Sequence, residues 1–161
     1  MSAIGSYEVL TRDGFAASLD AARNVNTAIT GKWIFKTTKE EGRDAFDAAW
    51  QAALVEQVDF DYSGYVLGNY LDAQYEINGL RLFDEESESA QALSRVFTAA
   101  FIFESPRTLP DLPGDKLEAF CRAEYPTDGL ELIEPLQAAH AFYARGLSAI
   151  TNANLVVFVI R

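Results

Sequence analysis

The chain has 161 residues, a formal net charge of −11 and a sequence pI near 4.4. Hydrophobic residues make up 49% of it, which excludes a disordered chain, because disorder requires low hydrophobicity as well as high charge. The negative charge argues against nucleic acid and anionic membrane as partners. No stretch of about 18 apolar residues occurs, so no membrane span is expected, and the length predicts a single globular domain over residues 1–161.

The cysteine content indicates whether the protein resides in a reducing or an oxidising compartment. Cys121 is the only cysteine and cannot form a disulfide within the chain, which is typical of proteins in reducing surroundings. The first residues lack the basic and apolar regions of a secretory signal. We therefore expect a cytoplasmic protein.

Hydrophobic periodicity predicts a helix from about Thr11 to Arg23 and a strand from Lys32 to Thr37. The next four residues, Thr38 to Glu41, match a capping box, in which a Thr hydroxyl and a Glu three residues later satisfy free amides at a helix start. A second helix is therefore predicted from there to about Glu56.

The middle of the chain predicts exposed carboxylates on β-structure. Val58 to Tyr62 alternates strictly, which predicts a strand with Asp59 and Asp61 facing outward. Gln74 to Phe83, centred on Asn78-Gly79, predicts a β-hairpin with a type I′ turn. The segment from Gly64 to Asp72 fits a short helix or a strand.

The last 80 residues are predicted to be mainly helical. Asp84 would cap a helix from about Glu85 to Phe103, Asp115 would cap another, and Pro135 lies in the first turn of a helix that ends near Gly146. Leu130 and Leu132 permit a short strand. Leu155 to Ile160 is apolar and β-branched throughout, which favours a central strand buried on both faces.

These elements predict an α+β fold, with a mixed or mostly antiparallel sheet of about five strands packed by about five helices. The order of elements lacks the strict βαβ alternation and the glycine-rich first loop of a doubly wound nucleotide-binding fold. Gly64 to Gly68 lacks the remaining residues of a phosphate-binding loop, so no cofactor is predicted.

The acidic charge is concentrated in one segment. Glu56 to Glu88 holds nine carboxylates and a single base, Arg81, whereas residues 1–50 have a net charge of only −1. Tyrosines lie in the same segment, and tyrosine is enriched at interface hot spots. The residues predicted to bind a partner are Asp59, Asp61, Tyr62, Tyr75, Glu76, Asp84, Glu85, Glu86 and Glu88.

Part of this acidity has a structural explanation. Asp59 and Asp61 could bind a hard cation together with Glu76 on a neighbouring strand, but alternating Asp also protects an edge strand from pairing, and we predict no metal site. Asp84 to Glu88 would stabilise the positive end of a helix dipole. Cys121 is expected to be an inert buried thiol, and no nucleophile lies near His140, the only histidine, in the sequence.

Three functions remain open. The first is a small acidic protein-binding module, such as an immunity or inhibitor protein that neutralises a basic partner, for example a nucleic-acid-targeting toxin. The second is a small cytoplasmic enzyme with a site assembled from scattered residues: Asp59, Asp61, Tyr62, Glu76 and His140. The third is a small-molecule binder with an aromatic-lined pocket under the predicted hairpin. The expected partner of the first is a basic protein surface.

Overall fold

A central antiparallel sheet organises the fold. The computed structural model describes residues 3–30 and 37–161, and side chains for residues 3–26 and 40–161. Four strands form the central sheet in the order β4-β1-β6-β5, and β2 pairs with β3 in a separate two-stranded sheet. Every strand pair is antiparallel, so the predicted α+β class with a mostly antiparallel sheet is confirmed.

The strands are β1 (Ile4–Thr11), β2 (Asn26–Thr30), β3 (Thr37–Glu41), β4 (Leu54–Ser63), β5 (Ala99–Phe103) and β6 (Asn154–Ile160). The helices are α1 (Arg12–Arg23), α2 (Arg43–Ala53), α3 (Tyr65–Asn78), α4 (Glu88–Leu93), α5 (Gly114–Glu124) and α6 (Ile133–Ser148), with a 3-10 helix at Gly129–Leu132.

Helices cover both faces of the central sheet. Apolar residues of α3, α5 and α6 pack on one face, with Phe158 of β6. Residues of α1, α2 and α4 pack on the other, with Val157 of β6. Because alternate residues of a strand face opposite sides, β6 serves both cores, and its residues from Leu155 to Ile160 are all buried. The predicted central strand is confirmed.

β1 is a strand that the prediction omits, and it carries a buried carboxylate. Glu8 is 0% exposed and faces α2, where the indole Nε1 of Trp50 donates to it. Arg161 Nη2 lies 2.5 Å from Glu8 Oε1, and the Ser6 hydroxyl donates to the same oxygen at 3.1 Å. The burial of this charge is offset by a guanidinium and two hydrogen bonds.

The first predicted helix is confirmed, with Thr11 as its N-cap. The predicted start of the second is wrong, because Thr38 to Glu41 pair with β2 as part of β3. Gly42, at φ 84°, makes the turn from β3, and α2 begins only at Arg43. The predicted strand from Lys32 to Thr37 lies outside the described residues except for Thr37, where β3 begins.

The predicted hairpin at Asn78-Gly79 is wrong. Asn78 ends α3, and Gly79, at φ 64°, is its left-handed cap, with its N–H bonded to the carbonyl of Tyr75 at 2.8 Å. A positive φ at glycine serves a helix C-terminus as well as a type I′ turn. Buried Leu67 and Tyr70 lie at helical spacing and pack into the core, so the open segment from Gly64 belongs to the same helix.

Two further predictions in the second half need correction. Residues 85–103 form the short α4 and the strand β5 instead of one helix, because β5 pairs with β6 along its whole length. Ser87, not Asp84, caps α4, since its hydroxyl accepts from the amide of Ala90 at 3.1 Å. Leu130 and Leu132 lie in the 3-10 helix instead of a strand. The helices predicted near Asp115 and at Pro135 are confirmed as α5 and α6, but Asp115 does not cap α5, which begins at Gly114 after Pro113 and holds Asp115 in its first turn.

Candidate functional site: an acidic recess between two helices

The structure separates the predicted binding residues into different surfaces. Asp59, Asp61 and Tyr62 lie on β4, Tyr75 and Glu76 lie on α3, and the run from Asp84 to Glu88 precedes and begins α4. The acidic residues from Glu56 to Glu88 are therefore continuous in sequence, but they do not form one continuous surface.

Asp59 and Asp61 are exposed on an edge strand. Among the described strands β4 pairs only with β1, and Asp59 lies opposite Ser6, which places its side chain on the α1 and α2 side of the sheet. Gln57 Nε2 donates to Asp59 Oδ1 at 3.2 Å. Glu76 lies on α3, which packs against the other face, so the three carboxylates do not converge. Among the described residues no group of three or more His, Cys, Asp and Glu side chains is placed to hold a metal ion.

Tyr62 belongs to the contact between β4 and α6. Its hydroxyl donates to Glu134 Oε1 at 3.0 Å. This hydrogen bond, followed by burial and the charges of Glu134 and Asp61, raises the pKa of Tyr62. The hydroxyl of Tyr62 is thus engaged in the contact between β4 and α6.

Asp84 has a local structural role. Its Oδ1 accepts from the backbone amide of Glu86 at 3.0 Å, which fixes the turn ahead of α4. The three glutamates that follow, Glu85, Glu86 and Glu88, are exposed.

A small acidic recess lies where α3 meets α5. Asp72, Tyr75 and Glu76 share one face of α3, because residues three and four apart are neighbours on a helix. The last turn of α5 supplies the opposite wall. The recess has a volume of about 160 Å³, and the six residues that line it are Asp72, Tyr75, Glu76, Phe120, Glu124 and Tyr125.

The carboxylates of the acidic recess repel one another. Burial, followed by the charges of Glu85, Glu124 and Glu76, raises the pKa of Asp72. Burial and the charges of Asp72 and Glu124 likewise raise the pKa of Tyr125. Glu85 therefore contributes to the same field although it does not line the recess.

Within the part of the chain whose side chains are described, none of Asp72, Glu76, Glu85 and Glu124 has a basic group within 4 Å. By contrast, Glu118, two turns earlier on α5, pairs with Arg122 at 2.8 Å. The carboxylates of the recess thus make no direct ion pair with a described side chain, while neighbouring charge is paired.

Aromatic rings line the same recess. The rings of Phe120 and Tyr125 are 6.4 Å apart and inclined at 74°, so they form a corner. Tyr75 is 47% exposed, and the guanidinium of Arg81 lies over its ring. Carboxylates beside aromatic faces are suited to an ammonium or guanidinium group, through charge-assisted hydrogen bonds and cation–π contact.

The prediction contains only part of this site. Tyr75, Glu76 and Glu85 are among the predicted residues, whereas Asp72, Phe120, Glu124 and Tyr125 are not. A helical reading of residues 65–78 would have placed Asp72 beside Tyr75 and Glu76. The part played by α5 depends on tertiary packing.

His140 belongs to a hydrogen-bond network that joins three segments. Gln74 Nε2 donates to the Tyr70 hydroxyl at 2.8 Å, and this hydroxyl lies 2.8 Å from His140 Nδ1. Gln74 Nε2 also donates to the carbonyl of Pro110 at 2.7 Å. The network ties α3 and α6 to the loop over residues 104–113. The Tyr70 hydroxyl and the ring nitrogen of His140 can each act as the donor in this contact, according to the tautomer of the ring.

The residues of the enzyme hypothesis are spread over the fold. Asp59 and Asp61 face one side of the sheet, while His140 packs on the other and is hydrogen-bonded to Tyr70. Cys121 is fully buried, and burial raises the pKa of its thiol, as expected for an unreactive cysteine. These residues do not form one site.

Comparisons of the chain with protein-family models, with curated proteins and with solved structures found no match. In the part of the chain that the structure describes, no helix is both long and apolar enough to cross a lipid bilayer. The acidic recess is therefore interpreted from its own geometry and charge.

Proposed function

We propose that the chain is a small protein-binding module that docks on a basic protein through the acidic recess. The observation that supports it best is a group of carboxylates that make no direct ion pair with a described side chain, around a recess with aromatic walls. Burial and the neighbouring like charges both disfavour the ionised form of Asp72, as its raised pKa indicates, and an opposite charge from a partner would offset that cost.

Binding would proceed in two stages. The field of the acidic face speeds encounter with a basic surface, because complementary charge raises association rates more than it raises affinity. A Lys or Arg side chain of the partner then enters the recess. Its charged group contacts Asp72, Glu76 and Glu124, and its alkyl part lies against the corner of Phe120 and Tyr125.

A cytoplasmic immunity or inhibitor protein is the biological role that we propose for such a module. Its partner would be a basic toxin that acts on nucleic acid, since a protein that binds phosphates exposes the Lys and Arg side chains that the acidic recess would receive. A net charge of −11 suits a protein that competes with nucleic acid for such a surface.

Association kinetics at several salt concentrations test this proposal. The probes are a Lys- and Arg-rich peptide and a panel of folded basic proteins, each measured from about 20 to about 300 mM NaCl, a range over which screening increases strongly. The triple variant Asp72→Asn, Glu76→Gln, Glu124→Gln should associate about tenfold more slowly at low salt, with a flatter salt dependence.

The matched control removes three charges elsewhere: Glu56→Gln, Asp59→Asn, Asp61→Asn on β4. It should bind nearly as fast as the unchanged protein if the acidic recess is the docking surface. Equal losses in the two variants would mean that only net charge matters. Association that is insensitive to salt in the unchanged protein would contradict the proposal.

A further inference from the structure

A larger cleft lies over β5, on the sheet face opposite the acidic recess. Its volume is about 550 Å³. Ala100, Ile102 and Glu104 line one side, because alternate residues from β5 onward face the same way. Phe15 of α1 and Leu82 add apolar surface to its walls, and both are buried.

The cleft holds charges of both signs. Arg81 and Arg107 line it together with Asp84 and Glu104. Among the described side chains none of these four groups has an ion-pair partner within 4 Å. Two guanidinium groups and two carboxylates therefore share one cleft without neutralising each other by direct contact.

Arg107 is held in place by two contacts, which use only one of its N–H donors among the described residues. Its Nη1 donates to the carbonyl of Leu82 at 2.9 Å, and its guanidinium carbon lies 5.9 Å from the ring centre of Phe103. A guanidinium has five N–H donors in a planar fork that matches a carboxylate. One of the five is used by the Leu82 carbonyl.

The backbone that carries the acidic groups of the cleft is also restrained. Arg12 donates to the carbonyl of Glu104 at 2.6 Å, and also to those of Thr151 and Asn152, which fixes the chain where β5 ends. Asp84 is fixed by its hydrogen bond from the amide of Glu86. The backbone at both carboxylates is thus restrained.

We propose that this cleft binds a zwitterion with an apolar body, of the α-amino acid class. The ligand carboxylate meets Arg107, its ammonium group meets Glu104, and its side chain lies against Phe15 and Ile102. A simple carboxylate would pair only with an arginine and a simple cation only with an acidic group, whereas a zwitterion pairs with one group of each sign. A polyanion would be repelled by the exposed glutamates from Glu85 to Glu88.

Titration followed by amide chemical shifts tests this proposal. The probes are L-leucine, L-methionine and L-phenylalanine up to about 10 mM, a concentration that covers affinities weaker than 1 mM. At least one should shift the resonances of Ala100, Ile102 and Leu82. Its N-acetyl derivative, which lacks the ammonium charge, and its amide, which lacks the carboxylate, should each bind about tenfold more weakly, as expected for one lost charge-assisted hydrogen bond.

Two variants locate the charges. Arg107→Gln and Glu104→Gln should each weaken binding about tenfold, while the control Arg122→Gln, an exposed arginine on α5, should leave it unchanged. If Arg107→Gln also disturbs the loop through Leu82, Glu104→Gln still decides the question. The proposal is overturned if none of the three amino acids shifts the cleft resonances, if both derivatives bind as well as the parent, or if Glu104→Gln has no effect. Failure of the cleft proposal would not count against binding at the acidic recess, because the two sites share no lining residue.

Discussion

The guanidinium carbon of Arg81 lies 5.4 Å from the centre of the Tyr75 ring. Arg81 is the only base between Glu56 and Glu88, so the one positive charge of that segment lies on the tyrosine of the acidic recess. Arg81 also lines the cleft over β5. It therefore stands between the two proposed sites and should affect them in opposite directions.

Substituting Arg81→Gln should make the acidic recess more negative and free the face of Tyr75. Association with a basic peptide at low salt should become about two- to threefold faster, because a like charge has been removed from the path of the incoming cation. Binding of an apolar amino acid in the cleft should weaken in the same variant. Stopped-flow kinetics and amide titration measure the two effects, and slower association with the peptide would contradict this interpretation.

The raised pKa of Asp72 predicts that Asp72→Asn stabilises the fold near neutral pH. A carboxyl whose pKa is raised by folding adds stability below its ordinary value of 3.8, and that stability is lost as the pH rises through the raised pKa. At pH 7 the charged side chain is therefore unfavourable. Because the Asp72 side chain is only partly withdrawn from solvent, the gain is small, on the order of 0.5 kcal/mol or less.

Urea unfolding at pH 7 and at pH 3 measures this difference. The gain from Asp72→Asn should be present at pH 7 and shrink toward zero at pH 3. The control Glu118→Gln breaks the surface pair with Arg122, so it should be neutral or slightly destabilising. A clear loss of stability in Asp72→Asn at pH 7 would show that the carboxylates of the recess do not repel one another.

The two buried tyrosines, Tyr70 and Tyr143, predict that the fold loses stability at alkaline pH. Burial raises the pKa of both Tyr70 and Tyr143, so stability is full below the ordinary value of 10 and falls as the pH rises above it. Ultraviolet absorbance should show these two phenols ionising only as the protein unfolds. Ionisation of all seven tyrosines in one step before unfolding would contradict the described packing.

The buried ion pair of Glu8 and Arg161 predicts that substitutions of the two residues have large and coupled effects on the free energy of unfolding. Arg161→Ala leaves the buried Glu8 carboxylate without its guanidinium, which should cost about 3 kcal/mol. Arg161→Lys keeps a positive charge and should cost less. In a double-mutant cycle measured by urea unfolding, adding Glu8→Gln to Arg161→Ala should recover part of the loss. Strict additivity of the two substitutions would mean that the pair is not coupled.

The helix periodicity of α1, α5 and α6 could be predicted because their buried residues recur every three or four positions and each helix begins near a recognisable signal. β6 could be predicted from its unbroken apolar run. β1 could also have been found, because Tyr7 and Val9 alternate with Ser6 and Glu8. Because Ser6 and Glu8 are polar, the sequence does not indicate that both faces of β1 are buried.

Other parts depend on partners far away in the chain. Residues 96–101 have helix-like spacing, but pairing of β5 with β6 decides their conformation. Asn78-Gly79 supplies a positive φ that a helix end and a hairpin use equally well. The acidic recess was only half predictable for the same reason, since its second wall comes from α5, about 50 residues beyond α3 in the chain.

Chemical-shift mapping with a Lys- and Arg-rich peptide tests the acidic recess most directly. Titration of the unchanged protein at low salt should shift the resonances of Asp72, Tyr75, Glu124 and Tyr125 first and most strongly, and Asp72→Asn with Glu124→Gln should reduce those shifts. Shifts centred instead on Asp59 and Asp61 of β4, or spread evenly over all exposed carboxylates, would contradict the assignment of this recess as the docking surface.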